Sequence, residues 1–373
     1  MTGPNPDRPA RRFPRGLLGM IALVALAEAT IAARHLDFTT VWADDWRLAA
    51  RAAREKTRGR DVLCFGDSLV KYGVMPRVIE ARTGLKSYNL AVNAGTMPSA
   101  YFLLRRTLAS GARPRAIVAD FFALMLPDQP ALSVRTYPDL ATARDCLDLA
   151  WTARDPHLFT ATILGKALPS YKCRHEIRAS IRAALEGRRA SPWPRQSVLW
   201  ATWKDQNGAQ PMPSLPAKPP VDPAMVASLA PGDWSCDDLN ATYFEKFLAL
   251  AADHGLPVYW LMPPLGPEVH ARRALAGSDE AYTRQARAAQ TRYPNLVVLD
   301  ARGSGYDGSV HIDAIHLNHR GAKVLTGDLA AILADRIKGR ASGPRWVALP
   351  PYAGRSGDEA STGIARAGEG AVR

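Results

Sequence analysis

Five short apolar runs, each followed by a stretch of helical periodicity, constrain this chain more than any other feature. They fall at 62–65, 87–91, 116–122, 257–262 and 296–300. The run Val62-Leu63-Cys64-Phe65 has no polar break, as expected of a strand buried on both faces of a parallel sheet. Periodic stretches at 74–83, 98–110, 239–253, 278–292 and 319–337 have the length of packing helices. Gly111 and Pro114 close the second of these, and Gly255 closes the third. The alternation predicts an α/β protein built on a doubly wound parallel sheet. Its 373 residues suffice for one large or two ordinary domains, and 47% hydrophobic with 22% charged residues excludes wholesale disorder.

The pattern breaks in the middle and at both ends. Residues 127–235 carry helix and loop signals without a strand, and read as an insertion over one sheet edge. Within it, 205–233 is proline-rich and reads as an extended surface loop. From Gly339 onward there is little to bury, so 339–373 is expected to be a disordered tail. No internal repeat is present.

At the start, residues 1–15 hold Arg8, Arg11, Arg12 and Arg15, followed by an apolar stretch at 16–33 interrupted only by Glu28. Eighteen helical residues span about 27 Å, close to a bilayer core. The arginines before it predict an anchor at 16–34, with the N-terminus inside and the remainder extracytoplasmic. A signal peptide cleaved near Ala27-Glu28-Ala29 and a buried helix are the alternatives. Residues 35–59 read as an amphipathic stalk helix, with Trp42, Trp46, Leu48 and Ala52 near one face.

The net charge is +13, yet only ten residues are lysine. No zinc-finger spacing or RNA-binding signature accompanies the arginines, so no nucleic-acid partner is expected. Cys64, Cys146, Cys173 and Cys236 form no CxxC pair; Cys64 reads as a core residue, and the other three allow one disulfide if the chain is exported.

Chemistry concentrates just beyond the apolar runs, where open parallel sheets build their sites. Gly66-Asp67-Ser68-Leu69 follows the first run, and the glycine permits a tight turn that presents Ser68. Asp313-Ala314-Ile315-His316 follows the last. A nucleophilic serine needs a base, and the base needs an acid to hold its tautomer; Asp and His three apart can supply both. Asn93-Ala94-Gly95 lies between a strand and a helix, where a backbone N–H can stabilise an oxyanion. Asn93 and Asp67 are expected on the substrate side. Met262-Pro263-Pro264-Leu265 is a candidate pocket wall. Tyr72 and Trp260 read as packing residues, and Arg105 and Arg106 as a solvated helix face or an anionic-polymer contact.

With these blocks in view, the sequence resembles the SGNH (GDSL-type) hydrolase superfamily through FGDSLV, NLAVNAGT and DAIHLNHRG. The resemblance covers roughly 60–335, with 127–235 unaccounted for, and implies a flavodoxin-like three-layer α/β/α fold. It implies Ser68 as nucleophile, His316 as general base, Asp313 as its orienting acid, and the N–H groups of Ser68 and Gly95 as oxyanion donors. No cofactor or metal is implied. One block departs: the family's Gly-x-Asn-Asp, which supplies a third oxyanion donor, is replaced by the asparagine-free stretch AIVADFFALMLP at 116–127. Membrane-anchored relatives such as the alginate O-acetyltransferases and DltD-like proteins are similar in layout and often lack that block too.

The function implied is a serine ester hydrolase or O-acyltransferase working through an acyl-serine on O-acylated cell-envelope carbohydrate. The alternative is an inactive SGNH-like domain that binds an envelope polymer or a partner protein of an envelope assembly. His311, Asp313, His316 and His319 also admit a divalent-metal reading, which leaves the serine motif unexplained. Gly303-Ser304-Gly305 is a second serine, better explained as a loop.

Overall fold

The computed structural model describes residues 15–33, 41–127, 134–188, 200–213, 221–339 and 343–352. Six strands form one all-parallel sheet: β1 (Val62–Phe65), β2 (Ser87–Asn89), β3 (Ala116–Ala119), β4 (Val258–Met262), β5 (Leu296–Asp300) and β6 (Trp346–Ala348). Their order is β2-β1-β3-β4-β5-β6. The chain steps outward from β1 to β2 and then returns to the other side of β1 for β3. The crevice between the carboxyl ends of β1 and β3 is therefore the topological switch point, where α/β sheets open a ligand site.

The helices before β3 are α1 (Arg15–Ala33), α2 (Val41–Glu55), α3 (Ser68–Gly73), α4 (Pro76–Thr83) and α5 (Met97–Ala109). The insertion contributes α6 (Tyr137–Leu140), α7 (Ala143–Thr152), α8 (Pro156–Ala167), α9 (Pro169–Lys172), α10 (Arg174–Leu185), α11 (200–205) and α12 (Pro223–Ser228). Then follow α13 (Asp238–Asp253), α14 (Pro267–Ala276), α15 (Ser278–Arg292) and α16 (His319–Ile337).

Alternation along each strand divides the core in two. Leu63 and Phe65 join Trp46, Phe102, Phe247 and Trp260 on the face covered by α2, α5, α13 and α15. Val62 and Cys64 join Val70, Ile79, Leu325 and Leu329 on the face covered by α3, α4 and α16. β1, β3 and β4 are buried on both faces along their whole length, which is why those runs are continuously apolar.

Three expectations change. The segment read as a stalk is part of the domain: in α2, Ala43, Trp46, Ala49, Ala50 and Ala53 are all buried, whereas the side chain of Trp42 lies outside the described residues. The region after Gly339 is not wholly unstructured, because β6 extends the sheet. That strand is three residues long and flanked by prolines, so its sequence signal is faint. Its anchors are tertiary: the N–H of Val298 donates to Arg345 O at 2.7 Å, and Arg345 Nη1 donates to Gln290 O at 2.6 Å. Residues 353–373 lie outside the described residues. The expected surface loop at 205–233 contains α12 and a bridge between Met212 and Asn318. As for the expected anchor at 16–34, among the described residues no helix is long and apolar enough to cross a membrane, which leaves that expectation untested. The apolar N-terminal stretch does form a helix, α1, which packs against α9; Glu28 accepts hydrogen bonds from the N–H and hydroxyl of Ser170. The four cysteines are free, and burial pushes the Cys64 thiol up to about 12.

Candidate active site

The first loop of the site follows from β1 meeting α3 with almost no spacer. Asp67 caps α3, its Oδ1 accepting the N–H of Leu69 at 2.7 Å. Ser68 is the first residue of that helix, so its N–H is one of the donors a helix start leaves without an intrahelical partner. Gly66 has φ +135°, and a Cβ there would stand 1.6 Å from Asp120 Oδ1. No residue with a side chain fits.

The second loop runs from a 3-10 turn (Gly308–Val310) to α16. It is cross-braced by Ile312 N–H to His316 O at 2.9 Å and Asn318 N–H to Val310 O at 2.9 Å. Asn318 also caps α16, accepting the N–H groups of Arg320 and Gly321. The loop carries His316 over Ser68, across 248 residues of sequence: Ser68 Oγ lies 2.8 Å from His316 Nε2. His316 Nδ1 lies 2.7 Å from Asp313 Oδ2. Asp313 Oδ1 accepts the N–H groups of Ile315 at 2.9 Å and His316 at 2.8 Å. Partial burial would raise this carboxyl, but the hydrogen bond and charge of His316, with those two N–H groups, outweigh it and bring it down to about 2. An ionised Asp313 can only accept. The Nδ1 proton is therefore held toward Asp313, and the Nε2 lone pair is left to accept the Ser68 hydroxyl. That is the arrangement a serine needs to become a nucleophile. The ring of Tyr72 meets the His316 ring edge-on, with centroids 5.2 Å apart.

The turn after β2 packs directly on the first loop. A Cβ on Gly95 would come within 2.4 Å of Gly66 O, so only glycine allows this approach. Its N–H donates to Val92 O at 3.0 Å and is occupied in this conformation. Asn93, expected on the substrate side, is buried instead. Its N–H and Nδ2 donate to Asp45 Oδ2 at 2.7 and 3.1 Å, its Oδ1 accepts the Tyr72 hydroxyl, and its O accepts Trp46 Nε1 at 2.9 Å. Asp67 is also buried, turned toward Asp120 and the helix cap. Both residues hold the site together from behind.

Sequence reading missed three residues here. Asp45 on α2 and Lys71 on α3 form a wholly buried ion pair that ties the expected stalk to the helix bearing Ser68. Asp120, directly after β3, accepts the N–H of Asp67 at 3.1 Å. The one signal for it was an acidic residue inside an otherwise apolar run at 116–126.

The remaining candidates have local roles. Leu265 packs with Leu69, Phe122, Val269 and Ala314 in an apolar cluster flanking the loops, with Ile315 partly buried against it. Trp260 is buried and donates to the Tyr282 hydroxyl at 2.9 Å. Arg105 pairs with Asp145, and Arg106 donates to Ala50 O at 3.4 Å. Ser304 is buried and donates to Leu349 O at 3.0 Å. Among the described residues no three His, Cys, Asp or Glu side chains are grouped to hold a metal ion, and His311 Nδ1 meets Asp307 O at 2.9 Å. Compared with known proteins, the chain matches no family model and no curated protein.

Proposed function

We propose that this protein is a serine acyl-transfer enzyme of the SGNH type, an esterase or O-acyltransferase working through an acyl-Ser68 intermediate. One observation carries the reading: the continuous chain Ser68 Oγ–His316 Nε2 at 2.8 Å and His316 Nδ1–Asp313 Oδ2 at 2.7 Å. Ser68 Oγ attacks the ester carbonyl while its proton passes to His316 Nε2. The carbon–oxygen bond to the alcohol then breaks, and the leaving alkoxide takes that proton. Water, or a sugar hydroxyl, gives its proton to His316 as it attacks acyl-Ser68; the proton returns to Ser68 as the acyl group leaves.

The apolar cluster of Leu69, Phe122, Leu265, Val269 and Ala314 suits an acyl chain better than a phosphoryl group. O-acylated carbohydrate of the cell envelope is the substrate class we assign, by analogy with anchored members of that superfamily. The exposed Leu18, Met20, Leu23 and Leu26 of α1 support attachment to lipid at the outer face of a membrane. Sedimentation of the full chain with membranes, lost on deletion of 1–33, tests that placement. One observation favours a binding-only domain instead: the Gly95 N–H is bonded to Val92 O.

Reaction with a fluorophosphonate probe decides between them. Stoichiometric labelling of the full chain, lost in Ser68→Ala and reduced strongly in His316→Ala, is expected. A folded wild type that takes no label overturns the enzyme reading.

A further inference from the structure

The insertion carries one helix whose apolar side faces away from the protein. In α10, Ile177, Ile181, Ala184 and Leu185 recur at the i, i+4, i+7 and i+8 spacing of an amphipathic helix. Such a stripe ordinarily turns toward the core. Here Ile181 is 56% exposed and Leu185 85%, whereas Ala183 on the opposite side is buried. Arg178 and Arg182 run beside the stripe and are exposed as well. The acids along this stretch are already paired: Glu176 lies 3.2 Å from Arg135, and Glu186, just past the helix end, meets Arg188.

What surrounds α10 points to the occupant. α10 packs on α9, and α9 packs on α1. Residues 16–30 of α1 are exposed except Glu28, and Glu28 is the residue bonded to Ser170 of α9. The acid of α1 is thus turned into the domain while its leucines stay outside. α10 stands one short helix away from that apolar surface and adds positive charge beside it.

We propose that α10 docks on the anionic surface of the bilayer to which α1 attaches. Ile181 and Leu185 enter the boundary between headgroups and acyl chains, and Arg178 and Arg182 reach lipid phosphates. A basic amphipathic helix lies in that plane because its apolar side leaves water while its arginine stems stay along apolar surface and their forks meet phosphate oxygens. A second copy packed through the same face would set its own Arg178 and Arg182 against these, like charge on like. Lipid meets both the apolar stripe and the arginines. The contact also sets which side of the domain faces the bilayer.

This assignment rests on the lipid attachment of α1 proposed above, and one experiment separates their failures. A fluorophore is placed on Leu185→Cys, and as a control on Leu275→Cys of α14, in the full chain carrying Cys236→Ser to remove the partly exposed native thiol. The chain is reconstituted with vesicles of phosphatidylcholine alone or mixed with phosphatidylglycerol. Sedimentation reads attachment, and quenching by nitroxide-labelled lipid or by aqueous iodide reads what covers the probe. In the anionic vesicles the probe at Leu185 is expected to be quenched by the lipid nitroxide and shielded from iodide, and the probe at Leu275 the reverse. Arg178→Gln and Arg182→Gln should each lower the ratio of docked to undocked helix by about 5-fold, with sedimentation kept. A chain that sediments while its Leu185 probe stays open to iodide overturns the docking of α10 and spares the attachment of α1. Shielding from both quenchers means that a second copy covers the face, and overturns it too. So does equal lipid quenching at Leu185 and Leu275, or lipid quenching at Leu185 that is the same in both lipid mixtures. A chain that sediments with neither vesicle removes the attachment of α1 and the docking of α10 together.

Discussion

Lys71 and Asp45 meet in the protein interior, with neither side chain more than 1% exposed. Lys71 Nζ also donates to Ala91 O at 3.2 Å and Gly208 O at 3.4 Å, so its charge is surrounded by acceptors. Removing one partner strands the other. Asp45→Ala is expected to destabilise the fold by about 3 to 5 kcal/mol, the range for a broken buried pair. A chain starting at residue 60 should not fold on its own. Urea unfolding of Asp45→Ala and solubility of the truncated chain check both, and a monomeric, folded 60–373 fragment would contradict the integral role of α2.

The hydrogen-bonded Asp313 gives a signed acid dependence. Its carboxyl is brought down to about 2 from an ordinary 3.8. A lowered acid stabilises the fold above its unfolded value, and that contribution is lost as pH falls through the folded one. Thermal melts between pH 5 and pH 2 should therefore show wild type losing stability below about pH 4 more steeply than Asp313→Asn. Parallel curves for the two would argue that the Asp313–His316 bond is not maintained in solution.

Asp120 runs the opposite way. It is raised well above 3.8, first by burial and then by Asp67. Such a group stabilises the fold fully below its unfolded value and loses that contribution as pH rises toward its folded one. Asp120→Asn does not ionise, so it should gain on wild type in melting temperature from pH 4 to pH 8. The gain should shrink to nothing near pH 4, and a constant offset across the range would contradict a protonated acid at this position.

Tyr72 has two separable jobs. Tyr72→Phe keeps the ring against His316 but leaves Asn93 Oδ1 without its hydroxyl donor, and should cost about 1 to 3 kcal/mol of stability with labelling largely kept. Tyr72→Ala removes the ring as well and should slow labelling further. Calorimetry beside the probe assay separates the effects; equal labelling rates in the two variants would remove the ring's part in holding the imidazole.

Much of this architecture is legible from local pattern, because strands buried on both faces must be apolar throughout. The runs at 62–65 and 296–300 coincide with β1 and β5, and the periodic stretch at 278–292 coincides with α15. Ser68, Asp313 and His316 stand out for a similar reason: each lies in a short string just past a strand. What stays hidden depends on distant partners. β6 has three weakly patterned residues and is held by Val298 and Gln290. The alanine-rich face of α2 looks no different on a stalk than under a sheet. Asn93 reads as a polar loop residue until Asp45, Tyr72 and Trp46 are seen to occupy every group it carries. Asp120 is one letter in an apolar run, and only the empty Cα of Gly66 shows why it is there.

The bond between Ser68 and His316 also sets a clock. A ribosome adding about 5 to 20 residues per second needs roughly 12 to 50 s to travel the 248 residues between them. During that interval Ser68 has been made and His316 has not; β4 and β5 are made late in it, and β6 only after it ends. On the proposed function, synthesis order alone keeps the Ser68 hydroxyl unactivated until His316 has been made.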